Sequence, residues 1–485
     1  MRIHKIKSKA VSALGPDIIE FFGHAKNYVT GGIFLKGLAF FTIPIYTRLL
    51  IPADYGVLAV FGSIVTISTI ILGLGFRGAI SRYYFEETND FKHFFGANVL
   101  FIFAFCIIVS LVNIKVVDFI SIRFNVEKNI VFFALLLSFF AVFTEMYITF
   151  LETIKRSRSV AIINVSIKVL TIITSIFLIL QLDENRYLGN IYGQSIIGFF
   201  FFTYVIYKLL QLIKINFNWR YIKYSLVFSL PIVVHLLSQY VLASSDILII
   251  NQLKGEHDTG LYSLAYSVGM LLTVVSGGMA SAYSPMFYKY MNDNSFHKIN
   301  NLADKYSKVI TFVAIGLILF AKPLILLLAE KSYHTAFIII PIVVIGYFFF
   351  FLYTLYIGYV FYQKKTFILS IITVASGLIN ISLNYLLIPR FGYVAAAYST
   401  MISYFFLFIL HYLNVKLVLR VQNIIPISIN FMNVLVIVIA TAIFFIVNKY
   451  IVNIFFELVI EIMTWMFLSI ILIGTHNIKK GLKVQ

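Results

Sequence analysis

The sequence predicts an all-α, polytopic membrane protein. Its fold class is two six-helix lobes in parallel pseudo-repeat, followed by two additional helices, for about 14 spans in all. Three observations predict it. The chain is 61% hydrophobic and only 12% charged over 485 residues, more apolar side chain than a soluble core of that length hides. Apolar runs of about 20 residues recur along it, each long enough to cross the ~30 Å hydrocarbon core as a helix. A short pattern, Asp-x-Gly followed by an apolar run, occurs twice in the same topological setting.

Taken in order, the apolar runs place spans at 28–50, 56–80, 94–114, 130–152, 160–180, 187–207 and 224–250. Seven more follow at 260–288, 309–329, 335–362, 366–388, 392–413, 425–447 and 451–474. Spans longer than 25 residues tilt or project past the bilayer. The expected organisation is a basic N-terminal segment (1–27), a first lobe (28–223), a second lobe (224–424), two additional spans (425–474) and a C-terminal tail (475–485). Residues 1–27 lack a long apolar stretch and a small-residue cleavage site, so no cleaved signal peptide is expected. Connecting loops are about 20 residues or shorter, which leaves no room for a soluble domain.

The net charge of +18 is a topology signal, because the basic residues sit in short loops between spans. With the N-terminus inside, the cytoplasmic segments carry 25 Lys and Arg against 10 outside. The positive-inside rule then puts both termini in the cytoplasm. Nucleic acid is not expected as a partner. The single cysteine, Cys106, lies in an apolar run and reads as a small buried hydrophobe.

The repeat is carried by "PADYGVLAVFGSI" (52–64) and "EHDTGLYSLAYSV" (256–268). At an offset of 204, Asp54 meets Asp258, Gly56 meets Gly260, and Val57 meets Leu261. Further on, Gly73 meets Gly277 and Tyr84 meets Tyr288. Six spans separate the copies. An even number preserves orientation, so the repeat is parallel, and such repeats place the substrate site between lobes. Locally, Asp is expected to cap the next helix and Gly to permit a tight turn.

The stretches "KGLAFFTIPIYTRLLIPADYGVLAVFGSIVTISTIILGLGFRGAISRYY" (36–84) and "SSDILIINQLKGEHDTGLYSLAYSVGM…SAYSPMFYKY" (244–290) resemble the openings of the two lobes of bacterial polysaccharide-export flippases of the O-antigen and capsule type. The resemblance covers nearly all the expected spans. It implies the fold shared by multidrug and toxin extruders and by lipid II flippases. It also implies a substrate, an undecaprenyl-diphosphate-linked oligosaccharide turned from the inner to the outer leaflet of the cytoplasmic membrane. The partners it implies are that lipid-linked glycan, the bilayer, a polysaccharide polymerase and chain-length proteins.

A diphosphate head group cannot cross hydrocarbon unsolvated. Charges inside spans are therefore where substrate contacts are sought, since each is costly to insert. Lys36 and Arg77, on the first two spans, are the candidate diphosphate ligands, Arg as a bidentate partner and Lys as a point charge. Snorkelling to the interface is the structural alternative. Glu145 and Lys168 sit at equal depth on two consecutive spans and are expected to form an intramembrane ion pair. Arg48 and Asp246 are candidates for an outer gate pair, and Asp246 also for a coupling-cation site. His235 and His411 each stand alone in a span and are expected to hydrogen-bond a neighbouring helix. Glu457 and Glu461 share a helix face and read as a helix contact or a groove for lipid or a partner.

No phosphate-binding loop, metal-spaced His/Cys cluster or nucleophile elbow is present. Neither an enzyme nor a cofactor is therefore expected, and no metal site. Two competitors stand beside the flippase: a cation-coupled small-molecule exporter of the same fold, and a membrane polysaccharide polymerase or ligase. The latter class needs a large outer loop, which the short connections argue against.

Overall fold

The computed structural model describes residues 34–481 apart from 36, 39, 112, 366 and 452. Every long regular element among them is helical. Twelve of the described helices are long and apolar enough to cross a membrane, or thirteen when one bent pair is taken as a span. The first expected span, 28–50, lies largely outside the described residues; 40–49 are helical. In lipid every backbone polar group must be satisfied within the segment, which is why apolar runs of this length fold as helices.

The chain forms two compact units. Among the described residues the first holds those up to 42 and 64–234, the second 43–63 and those from 235 onward. The contact division therefore does not follow the boundary expected at 223/224. It falls within a long helix, and it assigns the segment around the first Asp-x-Gly to the second unit.

Helix α1 (Pro52–Leu72) begins in the second unit, passes into the first at residue 64 and ends at Gly73-Leu74-Gly75, where Leu74 and Gly75 both take positive φ (49° and 65°). Gly75 adopts the left-handed conformation readily, so the expected span 56–80 is broken here. Helix α2 (Phe76–Glu86) starts immediately after. Helices α3 (Phe91–Leu111), α4 (Asn113–Phe124), α5 (Lys128–Thr153), α6 (Ser157–Leu180) and α7 (Tyr187–Leu212) follow. α6 and α7 pack along their length, α5 packs on α7, and α2 lies on α5. The core is aromatic: Tyr83 stacks on Phe94 with centroids 3.8 Å apart, and Phe91 stacks on Phe150 at 5.8 Å. Cys106 is buried in it. Phe177, Leu180, Phe199 and Phe200 are exposed, the expected state of lipid-facing side chains.

Helix α8 (Trp219–Lys254) leads into the second unit. There α9 (Glu256–Gly269), α10 (Leu271–Asn292), α11 (Phe296–Leu319), α12 (Ala321–Leu328), α13 (Ile340–Tyr362), α14 (Phe367–Phe391), α15 (Val394–Leu413), α16 (Phe431–Tyr450) and α17 (Ile454–Gly481) follow. α13 is apolar on all sides and packs against α9, α10, α11 and α15, as an all-round hydrophobic helix must. α11 and α12 meet at a 63° bend. Pro323 explains it: its ring clashes with the carbonyl four residues back and removes a donor, so the helix stops at Leu319 and restarts.

The two copies of Asp-x-Gly meet inside the second unit. Each Asp lies in the first turn of its helix, and the Asp54 carboxylate accepts from Ile51 N at 3.4 Å, as in a capping box. The glycines are not turn residues, contrary to the local expectation. Each sits inside its helix. A Cβ on Gly56 would run into the carbonyl oxygen of Glu256, and one on Gly260 into that of Pro52. Pro52 and Glu256 are themselves related by the offset of 204. The contact is thus reciprocal, with each copy's glycine seated on the carbonyl four residues upstream of the other. Close backbone approach of this kind is what small residues at helix crossings permit.

Alanine at Gly56 or Gly260 is expected to cut the yield of monodisperse protein severalfold and to lower its melting temperature. Alanine at Gly277, where an added Cβ meets nothing within 4 Å, should leave both unchanged. Fluorescence-detected gel filtration and a thermal melt read the two quantities.

Candidate functional site

In the first unit, Arg77 projects from the first turn of α2, just past the break at Gly75. Its Nε donates to Thr149 Oγ1 at 2.9 Å. Its Nη1 lies 3.6 Å from Glu145 and its Nη2 3.6 Å from Glu152. Glu145, Thr149 and Glu152 share one face of α5, so the stripe holds the guanidinium in three places. One hydroxyl contact, Ser81 to Thr153 at 2.9 Å, continues the seam. Two carboxylates face one cation here, and the fork expected to grip a phosphate is already engaged by protein.

The expected Glu145–Lys168 pair does not form. Glu145 is taken by Arg77, and Lys168 is exposed on α6 with no ion pair among the described residues. Equal depth on two helices does not set the azimuth of either side chain, and the face of α5 that bears Glu145 looks to α2. Lys36 lies outside the described residues.

A second cationic feature of this unit escaped the sequence reasoning. Arg82, Arg220 and Lys223, with Tyr224, Val227 and Phe228, line an open cavity of about 510 Å³. Arg82 lies 5.0 Å over the Phe228 ring and bonds Glu86 at 2.6 Å. Tyr224 donates to the same carboxylate at 2.6 Å. Among the described residues neither Arg220 nor Lys223 has an ion-pair partner. All three cations had counted only as loop charges. The signal available was their placement on helix ends, with Arg220 and Lys223 three residues apart on one face.

In the second unit, Asp246 is buried on α8. Tyr262 donates to Oδ2 at 2.5 Å, the Thr400 hydroxyl donates to the same oxygen, and Asn384 Nδ2 donates to Oδ1 at 2.5 Å. Asn380 closes the ring: it accepts from Ser245 at 3.0 Å and donates to Thr400 at 3.2 Å. The Arg48–Asp246 gate is therefore absent. Arg48 is exposed and donates back to Pro44 O at 2.9 Å, while the aspartate is enclosed by neutral donors. One carboxylate among amide and hydroxyl oxygens is a hard donor set, and Asn384 Oδ1 is buried without a partner. No cluster of three or more His, Cys, Asp or Glu suited to a metal exists among the described residues.

Beside this ring lies a cavity of about 290 Å³ lined by Gln239, Ala243, Tyr347, Tyr353 and Tyr404 among others. Tyr266 stands behind it, 5.4 Å from the Tyr347 ring. His411 is fully buried, its ring 5.0 Å from that of Tyr353, but neither ring nitrogen has a hydrogen-bond partner, so it packs on the neighbouring helix without the hydrogen bond expected of it. His235 on α8 has a buried Nδ1 without a partner.

Residues 27–291 match the polysaccharide biosynthesis protein family. The chain belongs to that family. A second family, MatE, matches residues 231–386. A relative described as Lsg locus putative protein 1, from Haemophilus influenzae, is 24% identical over 287 residues, spanning 56% of this chain and 67% of that protein. The fold is similar to that of a solved structure described as the lipid II flippase MurJ in an inward closed conformation. The TM-score is 0.71 at 17% identity, with 93% of this chain and 98% of that one covered. It is also similar to an inward-facing multidrug resistance MATE family transporter, with a TM-score of 0.63 at 16% identity, covering 80% and 96%. This member of the polysaccharide biosynthesis protein family is thus a multi-pass membrane protein with the fold of transporters and flippases.

Arg77→Met leaves Glu145 and Glu152 facing each other without their cation, so it should reduce membrane abundance more than Glu145→Gln does. The double substitution should recover part of the loss, since partners do not add independently. Lys168→Met should match the wild type in the same immunoblot and thermal-melt comparison.

Proposed function

We propose that the protein moves an undecaprenyl-diphosphate-linked oligosaccharide from the inner to the outer leaflet of the bacterial cytoplasmic membrane by alternating access. The observation that carries this is the basic cavity of Arg82, Arg220 and Lys223, three cations set against one carboxylate. It supplies charge for a diphosphate, and it lies at the ends of α2 and α8 that the Lys/Arg distribution assigns to the cytoplasm. That is where a lipid-linked substrate would be assembled. Family membership supports a polysaccharide role. The tyrosine-lined cavity of the second unit supports contact with sugar rings, which aromatic faces accommodate. Arg77 serves α5 in this reading, and Lys36 remains a candidate phosphate ligand.

A second reading has one observation behind it. The ring of oxygens around Asp246, whose members Asp246, Tyr262, Asn380 and Asn384 lie within the MatE-matched residues and Thr400 beyond them, suits a monovalent cation, as a cation-coupled small-molecule exporter would need. In the flippase reading the same ring is the coupling site.

Deleting the gene should make lipid-linked glycan accumulate on the cytoplasmic leaflet, and the wild-type gene should clear it. Arg220→Gln with Lys223→Gln should fail to clear it at normal protein abundance. Unchanged lipid-linked glycan in the deletion would favour the exporter of small molecules.

In this reading both termini and the loop at Lys155–Arg158 are cytoplasmic and His257 is outside. In a Cys106→Ser background, a cysteine at position 257 should react with an impermeant maleimide added to intact spheroplasts, and one at position 157 should not. Labelling of 257 only after lysis would invert the orientation.

A further inference from the structure

Glu457, Glu461 and Trp465 recur every four residues on α17 and share one face. That face is turned into protein: both glutamates are 0% exposed. Glu457 Oε2 lies 2.6 Å from Lys322 Nζ, and Lys322 stands two residues past the bend between α11 and α12. Trp465 Nε1 donates to Phe312 O at 3.3 Å. Its ring lies 4.7 Å from Phe312 and 5.9 Å from Phe320. Phe312 before the bend and Lys322 after it thus hold α17 from the two arms, with Phe320 at the bend against Trp465.

The charges do not balance. Lys322 is the one ammonium in the cluster, and Glu457 already holds it. Glu461 has no hydrogen-bond partner on either oxygen, and Glu457 Oε1 has none. An ionised Glu461 would be a buried charge with no donor and no counter-charge of its own, a state proteins avoid by neutralising the group. The charged groups bearing on Glu461 are Glu457 on its own helix and Lys322 on α12. α11 meets this face of α17 with Phe312 and Gly316, and its ionisable residues end at Lys308. The ionisable residues of α16, Lys449 and Tyr450, are exposed and lie against each other at 5.3 Å.

We propose that Glu461 is a proton-binding site, occupied in this conformation, and that its proton controls the bend at Phe320. On release the O–H bond breaks and the proton passes to water. The carboxylate left behind draws Lys322 from Glu457 into a position shared by both glutamates. Lys322 takes α12 with it, and Trp465, one turn along, changes its surroundings.

The chain contains two tryptophans, Trp219 and Trp465, so a Trp219→Phe protein reports on Trp465 alone. Full-length protein in detergent is titrated from about pH 5 to about pH 9 at constant ionic strength. The expected result is a single sigmoidal change in Trp465 emission. In Glu461→Gln, which mimics the protonated acid, the change should vanish and the spectrum stay in its low-pH form throughout. A flat titration in the parent, or the same titration in Glu461→Gln, overturns the proposal. A change that follows sodium at fixed pH also overturns it, since the occupant is then a metal cation. Should Glu461→Gln fail to fold, infrared difference spectra of the parent decide. Loss of a protonated-carboxyl carbonyl band as the pH rises supports the site, and its absence removes it.

Discussion

The crossing of Gly56 and Gly260 is the constraint on which the second unit is built. Two helix N-termini, 204 residues apart in sequence, approach until each glycine rests on the other's backbone carbonyl. No side chain can mediate at that distance, so the contact is set by backbone alone and has little room to adjust. Its consequences spread outward. The segment 43–63 is held with α9 and its neighbours, and Thr47 reaches Leu328 O at 3.1 Å. Tyr333 donates to Leu50 O at 2.9 Å, fastening the same segment once more. The duplication in the sequence is therefore also a physical contact, in which the two copies are each other's partner.

Charge placement follows a common rule in both units. In each unit one charged side chain of an apolar helix is met by an opposite charge on another helix. Arg77 has Glu145, Thr149 and Glu152, and Glu457 has Lys322. Each pairing joins helices distant in sequence, so it specifies which helix faces which. Dispersion and apolar packing alone discriminate poorly among helices that are apolar all round. Arg220 and Lys223, which line one open cavity with Arg82 and have no ion-pair partner among the described residues, have charge to spare for an anionic ligand. Supply of free positive charge, more than the number of cations inside spans, separates a site from a scaffold.

The positions of the helices were legible from apolar run length, because the bilayer imposes that length on the chain one segment at a time. Pairings between helices were not. Depth along a helix can be counted, as it was for Glu145 and Lys168, but azimuth depends on packing that no local pattern encodes. The stripe Glu145, Thr149, Glu152 did carry a usable signal, since polar groups at this spacing on an apolar helix call for a cation opposite. Asn380 and Asn384, one turn apart, carried another for Asp246. Asp-x-Gly is visible as a repeat in the sequence, but a turn role for its glycine is a purely local expectation. The requirement for glycine comes from a carbonyl of the other copy, and a turn formula cannot contain that. The basic cavity was hidden for a different reason: its residues also satisfy the orientation rule, which accounted for them completely.

Asp246 and Glu461 are two buried carboxylates with opposite solutions. Asp246 is enclosed by fixed neutral donors on three other helices, so its charge is accommodated without any element moving. Glu461 has no donor, and the nearest ammonium belongs to its neighbour. Changing the occupancy of the first alters a preformed ring. Changing the second redistributes one ammonium between two acids, and that ammonium is mounted on the short arm of a bent helix. A fixed cage suits selection of an ion. A shared counter-charge on a movable arm suits conversion of an ion's arrival into displacement. A transporter that couples ion entry to conformational change needs both, and in the proposed function Asp246 would serve as the first and Glu461 as the second.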